Sequence, residues 1–268
     1  MSDEPMFTTG DLDVTAPTTC WKTVWSARCD VGCARRDNQD RIGHAIGPFG
    51  EVFVVADGVG GEAGGAAAAE LAVETYANLS IFRPQTPGEA PAAALQRATA
   101  LVTHRIEAAR QSQPSLAAMA TTAAVVFLTA TSVGIGHIGD SRIYLCRAGA
   151  VQLVTTDHSV VQRMVSEGVL SAEEAKNHPS GHILTRSLGQ QDAQMDVATL
   201  ELQPNDLLLL CSDGLWATVP FGALAEELAR VGTELDTFTQ ALLQRTLAAG
   251  APDNVSIVAI RILPDART

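Results

Sequence analysis

The chain has 268 residues, 46% of them apolar, enough for one large domain or two small ones with a sizeable core. Thirty acidic residues against 18 lysines and arginines give a net charge of −12, which argues against nucleic acid or an anionic membrane as the main partner. No apolar run reaches membrane-spanning length and no basic-then-apolar signal opens the chain, so a cytoplasmic protein is expected.

Residues 1–19 mix acids, Thr, Pro and Gly without periodicity and read as a flexible leader. Residues 20–264 read as a single domain and 265–268 as a tail. Trp21 to Cys29 alternates loosely, as a first strand does. The loop after it, DVGCARRDNQD, sets Arg35 and Arg36 close to Asp37 and Asp40. It reads either as a solvated turn with local ion pairs or as an oxyanion-binding arginine beside a metal-binding carboxylate. Ile42 to Ile46 is a second strand, and Gly47 to Gly50 a hairpin loop.

The rest of the chain is organised around the stretch Glu51 to Gly65, EVFVVADGVGGEAGG. The apolar run Val52 to Ala56 reads as a buried strand that ends at Asp57, and five glycines come within the next eight residues. Gly58 removes a Cβ beside the carboxylate, so backbone oxygen can come close to whatever Asp57 holds. No lysine follows the glycines, which excludes a P-loop. Two readings stand here: a carboxylate-plus-carbonyl seat for a hard divalent cation, or a strand-to-helix turn with a capping Asp.

Ala63 to Ser80 and Ala92 to Gln111 are predicted helices, the second with Leu95, Ala98, Val102 and Ile106 on one face. From Thr121 the period changes to that of strands. Thr121 to Thr129, Ser132 to Ile138, Ile143 to Arg147 and Val151 to Thr155 read as an antiparallel meander, with Gly139-Asp140-Ser141-Arg142 in one of its turns. Asp157 is expected to cap a helix from His158 to Glu167, and Ser171 with Glu174 to form the capping box of a short helix ending at Asn177. The irregular segment 168–189 reads as a flap over a surface. Leu207 to Cys211 is a buried strand that leads into Ser212-Asp213-Gly214, and two helices come next, Phe221 to Arg230 and Leu235 to Ala249. Pro252-Asp253-Asn254 opens the last strand, Val255 to Ile260. Cys20, Cys29, Cys33, Cys146 and Cys211 are odd in number and lack a second metal-type pair, so they read as reduced, mostly core thiols.

Five aspartates share one description: Asp40, Asp57, Asp140, Asp213 and Asp253 each lie at a turn bordering a predicted strand. Gathered together they would need cations, because like charges at short range raise each other's pKa values. Oxygen-only ligands favour Mg²⁺ or Mn²⁺ over zinc. In chain order the motifs are RRDNQD, VVADGVGG, GDSR, CSDGLW and PDNVS. In type, order and spacing these resemble the metal-dependent protein serine/threonine phosphatases of the PPM or type 2C family, compact bacterial branch, over roughly Trp21 to Ile262.

The resemblance implies an α+β fold: a four-layer α/β/β/α sandwich with two central antiparallel sheets and a dinuclear metal cleft at one end. It implies that Asp57 bridges two Mn²⁺ or Mg²⁺ ions and that the Gly58 carbonyl binds one of them. Asp213 and Asp253 would complete the first ion's shell, Asp40 would serve the second, and Asp140 with Asp213 a weaker third. Arg35 matches the phosphate-binding arginine, with Arg36 the alternative, and Asn254 is expected to orient Asp253. A metal-bridging hydroxide would attack phosphorus in line, hydrolysing phosphoserine and phosphothreonine monoesters in proteins. The implied partners are phosphorylated proteins and a cognate serine/threonine kinase, with the chain acting as a monomer.

Val59 stands where many eukaryotic members carry a histidine after the Asp-Gly, so metal-bound water is the first expectation for the proton donor. His158 and His178 read as capping or packing residues. A nucleotide hydrolase is disfavoured by the 4% aromatic content, and there is no GxSxG or HExxH. The alternative is a pseudophosphatase-like phosphoprotein-binding regulator, which would have lost metal ligands. Every matched ligand is present.

Overall fold

The computed structural model describes residues 21–60, 62–176, 178–190, 193–231 and 234–264. The expected leader and tail lie outside these residues. Among them, no helix is long and apolar enough to cross a membrane.

One antiparallel sheet has the order β1 (Trp21–Asp30), β11 (Val255–Pro264), β10 (Leu207–Cys211), β7 (Arg142–Arg147), β8 (Ala150–Leu153). The other runs β2 (Asp40–Gly47), β3 (Gly50–Val59), β5 (Ala123–Leu128), β6 (Val133–Ile138), β9 (Asp196–Leu200), with the two-residue β4 (Ala120–Thr121) paired to the end of β3. Helices α1 (Glu62–Ala77) and α2 (Pro91–Ser112) cover the second sheet, where Ala68, Ala72, Tyr76, Leu95 and Val102 pack on Val52, Val54 and Val125. Helix α7 (Leu235–Ala248) covers the first, where Phe238 and Leu242 pack on Leu207, Leu209 and Ile257. Phe53, Val55, Leu208, Leu210, Val258 and Ile260 fill the space between the sheets. The four-layer α/β/β/α sandwich is therefore borne out.

Strands β3 and β10 are buried on both faces, which is why they read as unbroken apolar runs rather than alternating ones. Their odd and even residues go to different layers: Val52 and Val54 to the helices, Phe53 and Val55 to the facing sheet.

Three expectations need correction. The meander is not one sheet: β5 and β6 pair with each other, β7 and β8 with each other, and Gly139–Ser141 carries the chain from one sheet to the other. The helix α3 (Val160–Ser166) is capped by Ser159, whose hydroxyl accepts the Gln162 N–H at 3.2 Å, and not by Asp157. Asp157 is already engaged by Arg142, with Nε–Oδ1 and Nη2–Oδ2 distances of 2.9 and 2.7 Å. Finally, Cys146 and Cys211 are core thiols, whereas Cys29 and Cys33 are exposed, and Cys20 lies outside the described residues. The short helix α4 (Ala172–Ala175) has the expected Ser171–Glu174 capping box. Asn177, its expected end, lies outside the described residues.

Candidate metal centre

The two sheets deliver the five aspartates to one end of the sandwich. Asp40 and Asp57 are direct cross-strand partners in the β2–β3 hairpin. Asp140 follows β6, Asp213 opens the short helix α5 (Asp213–Trp216) after β10, and Asp253 precedes β11. Asp57, Asp140, Asp213 and Asp253 line a cleft of about 530 Å³, together with Arg35, Arg36, Gly58, Val59, His182 and Leu184. Asp40 lies behind this wall, 1% exposed. Asp57 is not at a strand end as expected: β3 continues through Gly58 and Val59, which pair with β4.

Such crowding has an electrostatic cost. Like charges directly opposite on neighbouring strands repel. Burial, then Asp40, Asp213, Asp140 and Asp253 in that order, raise the Asp57 carboxyl well above the usual range. Burial, reinforced by Asp253 and Asp40, pushes Asp213 up to about 7. Burial lifts Asp40 to about 6, although hydrogen bonds from Ser212 and Ser256 hold it down. Asp140 is raised by burial and by Asp213. Two buried carboxylate oxygens, Asp40 Oδ1 and Asp213 Oδ1, have no hydrogen-bond partner among the described residues. Buried acceptors are ordinarily satisfied, so these two oxygens and the raised carboxyls together fit a site that binds hard divalent cations.

Asp253 is differently engaged. Its Oδ2 accepts from Arg35 Nη2 at 2.8 Å and its Oδ1 from the Asn254 N–H at 2.9 Å. Among the described residues, no three His, Cys, Asp or Glu side chains are already gathered around one ion position. If Arg35 gives up this ion pair when a cation binds Asp253, its guanidinium becomes free for an anion.

Backbone contacts hold the carboxylates in register. The Asp57 N–H donates to Thr122 Oγ1 at 2.9 Å, and its carbonyl accepts from Thr121 Oγ1 at 2.8 Å and the Thr122 N–H at 2.9 Å. Gly58 is required: a Cβ there would stand 2.2 Å from the Gly65 carbonyl oxygen and 2.9 Å from that of Gln39. Gly139, at φ +100, turns the chain between sheets, where a Cβ would meet Thr122 Cγ2 at 2.5 Å. The Asp140 carbonyl accepts from Trp216 Nε1 at 2.9 Å, and Arg142 stacks over the Trp216 ring at 3.7 Å.

Asn254 meets Asp253 through its main-chain N–H, while its side chain is engaged elsewhere. Its side chain donates to the carbonyls of Val31 and Asp37 at 2.9 and 3.1 Å and accepts the Gln39 N–H at 2.9 Å. It staples the loop that carries Arg35. Asn254→Ala would leave those backbone groups unpaired in a 4% exposed position. The expected cost is about 2–4 kcal/mol in urea unfolding; a loss below about 1 kcal/mol would show that the loop holds itself.

His158 and His178 are packing and capping residues, as expected. His158 is 4% exposed, with Nδ1 accepting the Gly139 N–H at 3.1 Å and Nε2 3.0 Å from Asp196 Oδ2. It braces the Asp140 turn from behind. His178 Nδ1 accepts the Ser180 N–H at 3.1 Å, and the residue does not line the cleft. His182, not singled out in the sequence, does line it.

The pattern of the family described as "Protein phosphatase 2C" matches residues 34–253. The chain is 32% identical over 234 residues to "Serine/threonine protein phosphatase PstP" of Mycobacterium tuberculosis, covering 87% of this chain but 44% of that protein's length. It is 31% identical over 243 residues to "Serine/threonine phosphatase stp" of Listeria innocua, covering 87% of this chain and 93% of the relative. A crystal structure of the PstP catalytic domain in complex with two manganese ions superposes with a TM-score of 0.79 at 31% identity, covering 90% of this chain and 98% of that one. With the family pattern spanning the loop of Arg35 to Asp253, and the sandwich superposing on a solved member, the chain belongs to the protein phosphatase 2C family.

Proposed function

We propose that the protein is a metal-dependent phosphatase that hydrolyses phosphoserine and phosphothreonine monoesters in proteins. It would act as a cytoplasmic monomer and oppose a serine/threonine kinase. The observation that carries this reading is the buried carboxylate cluster, two of its oxygens unpartnered, opening onto a cleft whose rim holds Arg35 and Arg36.

Asp57, the Gly58 carbonyl, Asp213 and Asp253 would hold one Mn²⁺ or Mg²⁺ ion, Asp57 and Asp40 a second, and Asp140 with Asp213 a weaker third. When bound, such ions acidify water and offset charge on the phosphoryl oxygens. The protein's own groups do the rest. Ser212 Oγ donates to Asp40 Oδ2 at 2.6 Å and keeps that carboxylate facing the cluster. Arg35, once released from Asp253, offers a guanidinium fork to two phosphoryl oxygens. Asn254 holds the loop from which Arg35 reaches.

The test is phosphate release from a phosphothreonine peptide with Mn²⁺, with Mg²⁺ and with chelator. Metal-dependent turnover is expected; a folded protein inactive with every metal would favour the phosphoprotein-binding regulator. Arg35→Ala is expected to lower kcat/KM by about 10- to 100-fold, the worth of one charge-assisted phosphate contact. If Arg36→Ala has that effect instead, the assignment of the two arginines is reversed.

A further inference from the structure

We infer that His182, on the flap, donates the proton to the departing seryl or threonyl oxygen. This rests on the phosphatase reading. In an in-line displacement the attacking and leaving oxygens lie on opposite sides of phosphorus. The carboxylate floor formed by Asp57 and Asp213 would hold the attacking water, so the leaving oxygen faces the opposite wall. Leu184 and His182 line that cleft from the flap.

A serine or threonine alkoxide is a poor leaving group without a proton. Val59, after the Asp-Gly, cannot supply one. Arginine stays protonated near neutrality. Histidine is the side chain whose ordinary pKa suits the task, and among the described residues one histidine lines the cleft, His182. His158 is buried and committed on both ring nitrogens.

His182 is not on a free loop tip. The turn before it is closed by Gly181 N–H to the His178 carbonyl at 2.9 Å, and the one across it by Ile183 N–H to the Ser180 carbonyl at 3.1 Å. The segment then runs beside the start of α3: the Val160 N–H donates to the Ile183 carbonyl at 2.8 Å, Ser159 bridges Leu184, and the Thr185 N–H donates to the His158 carbonyl at 2.7 Å. The His158 N–H in turn donates to the Gly139 carbonyl at 2.7 Å, next to Asp140. A chain of main-chain bonds thus sets His182 in register with the carboxylate wall.

In the step itself, the water oxygen forms a bond to phosphorus and the phosphorus–Oγ bond breaks, its electron pair passing to Oγ. The His182 ring N–H proton moves to Oγ, giving the free alcohol and a neutral imidazole. The proton that water loses goes to solvent, from which the imidazole is reprotonated.

The experiment compares wild type, His182→Ala and His182→Gln on a phosphothreonine peptide and on p-nitrophenyl phosphate, all with Mn²⁺. Calorimetric Mn²⁺ binding and thermal unfolding are measured on the same proteins. The nitrophenolate leaves without protonation, so the two esters separate proton donation from every other role. Peptide kcat is expected to fall about 100-fold in both variants. The aryl ester should lose at least about tenfold less, with Mn²⁺ affinity and melting temperature as in wild type. Equal losses on both esters, rescue by glutamine, weakened Mn²⁺ binding or an undiminished peptide rate would each overturn the inference. A wild type inactive on both esters would remove the phosphatase reading, and the inference with it.

Discussion

Asp57→Asn is expected to lower phosphate release by on the order of a thousandfold or more, while raising the melting temperature of the metal-free protein. Asp57 is the carboxylate that all four others act on, and it faces Asp40 across the hairpin. Asparagine keeps its shape. The bonds that fix this part of β3 run to the Asp57 main chain, from Thr121 and Thr122, and survive the exchange. What is lost is a charge: its absence removes a ligand when cations are present and relieves repulsion when they are absent. Thermal unfolding of both proteins, with and without Mn²⁺, checks this alongside the rate. The variant should melt higher than wild type without metal and gain less from Mn²⁺. A variant that keeps its activity, or gains as much from Mn²⁺ as wild type, would remove Asp57 from the centre of the site.

The metal-free protein is expected to lose stability as pH rises through neutrality, by a few kcal/mol. Asp213, at about 7, Asp40, at about 6, and Asp57 and Asp140, both raised by burial and their neighbours, bind protons in the folded state that the unfolded chain has released. Stability falls with pH wherever the folded state holds more protons. Two buried histidines work the other way. His137, held down to about 3 by burial, and His158, also lowered, make stability rise with pH below the ordinary histidine value of 6.5. That contribution levels off above about pH 6.5, so urea unfolding between about pH 6.5 and pH 8 reads mainly the carboxylates. Saturating Mn²⁺ should remove the decline, because cations bind the deprotonated ligands. A metal-free protein whose stability is flat or rises over that interval would mean the carboxylates are not crowded together.

The strand-Asp-Gly pattern made the carboxylate cluster legible because a short apolar run followed by a carboxylate and a glycine is a local signal that does not depend on which sheet the strand joins. Sheet membership was harder to read. β6 is buried throughout and β7 only partly, so neither shows the clean alternation that would tell which layer it belongs to, and Gly139–Ser141 looks like any hairpin turn. β9 was missed because it is a short edge strand, largely exposed. Asp157 and Ser159 are both good helix caps in isolation; only the return of Arg142 onto Asp157 decides between them. Asn254 joins segments more than two hundred residues apart, a role no local pattern carries. His182 gave no signal beyond its place in an irregular stretch.

The first and last strands of the sandwich are neighbours. β11 lies between β1 and β10, bonded to β1 from Trp21↔Pro264 to Asp30↔Val255. During synthesis β1 therefore leaves the ribosome long before the strand it needs, and Asp253 enters only as that strand arrives. A nascent chain can assemble the β2–β3–β5–β6 half with α1 and α2 early, yet it lacks Asp253 and holds an incomplete aspartate cluster until the ten-residue β11 is inserted. The aspartate cluster is thus complete only once β11 is in place, so on the function proposed above a partly made chain would lack one of its five carboxylates.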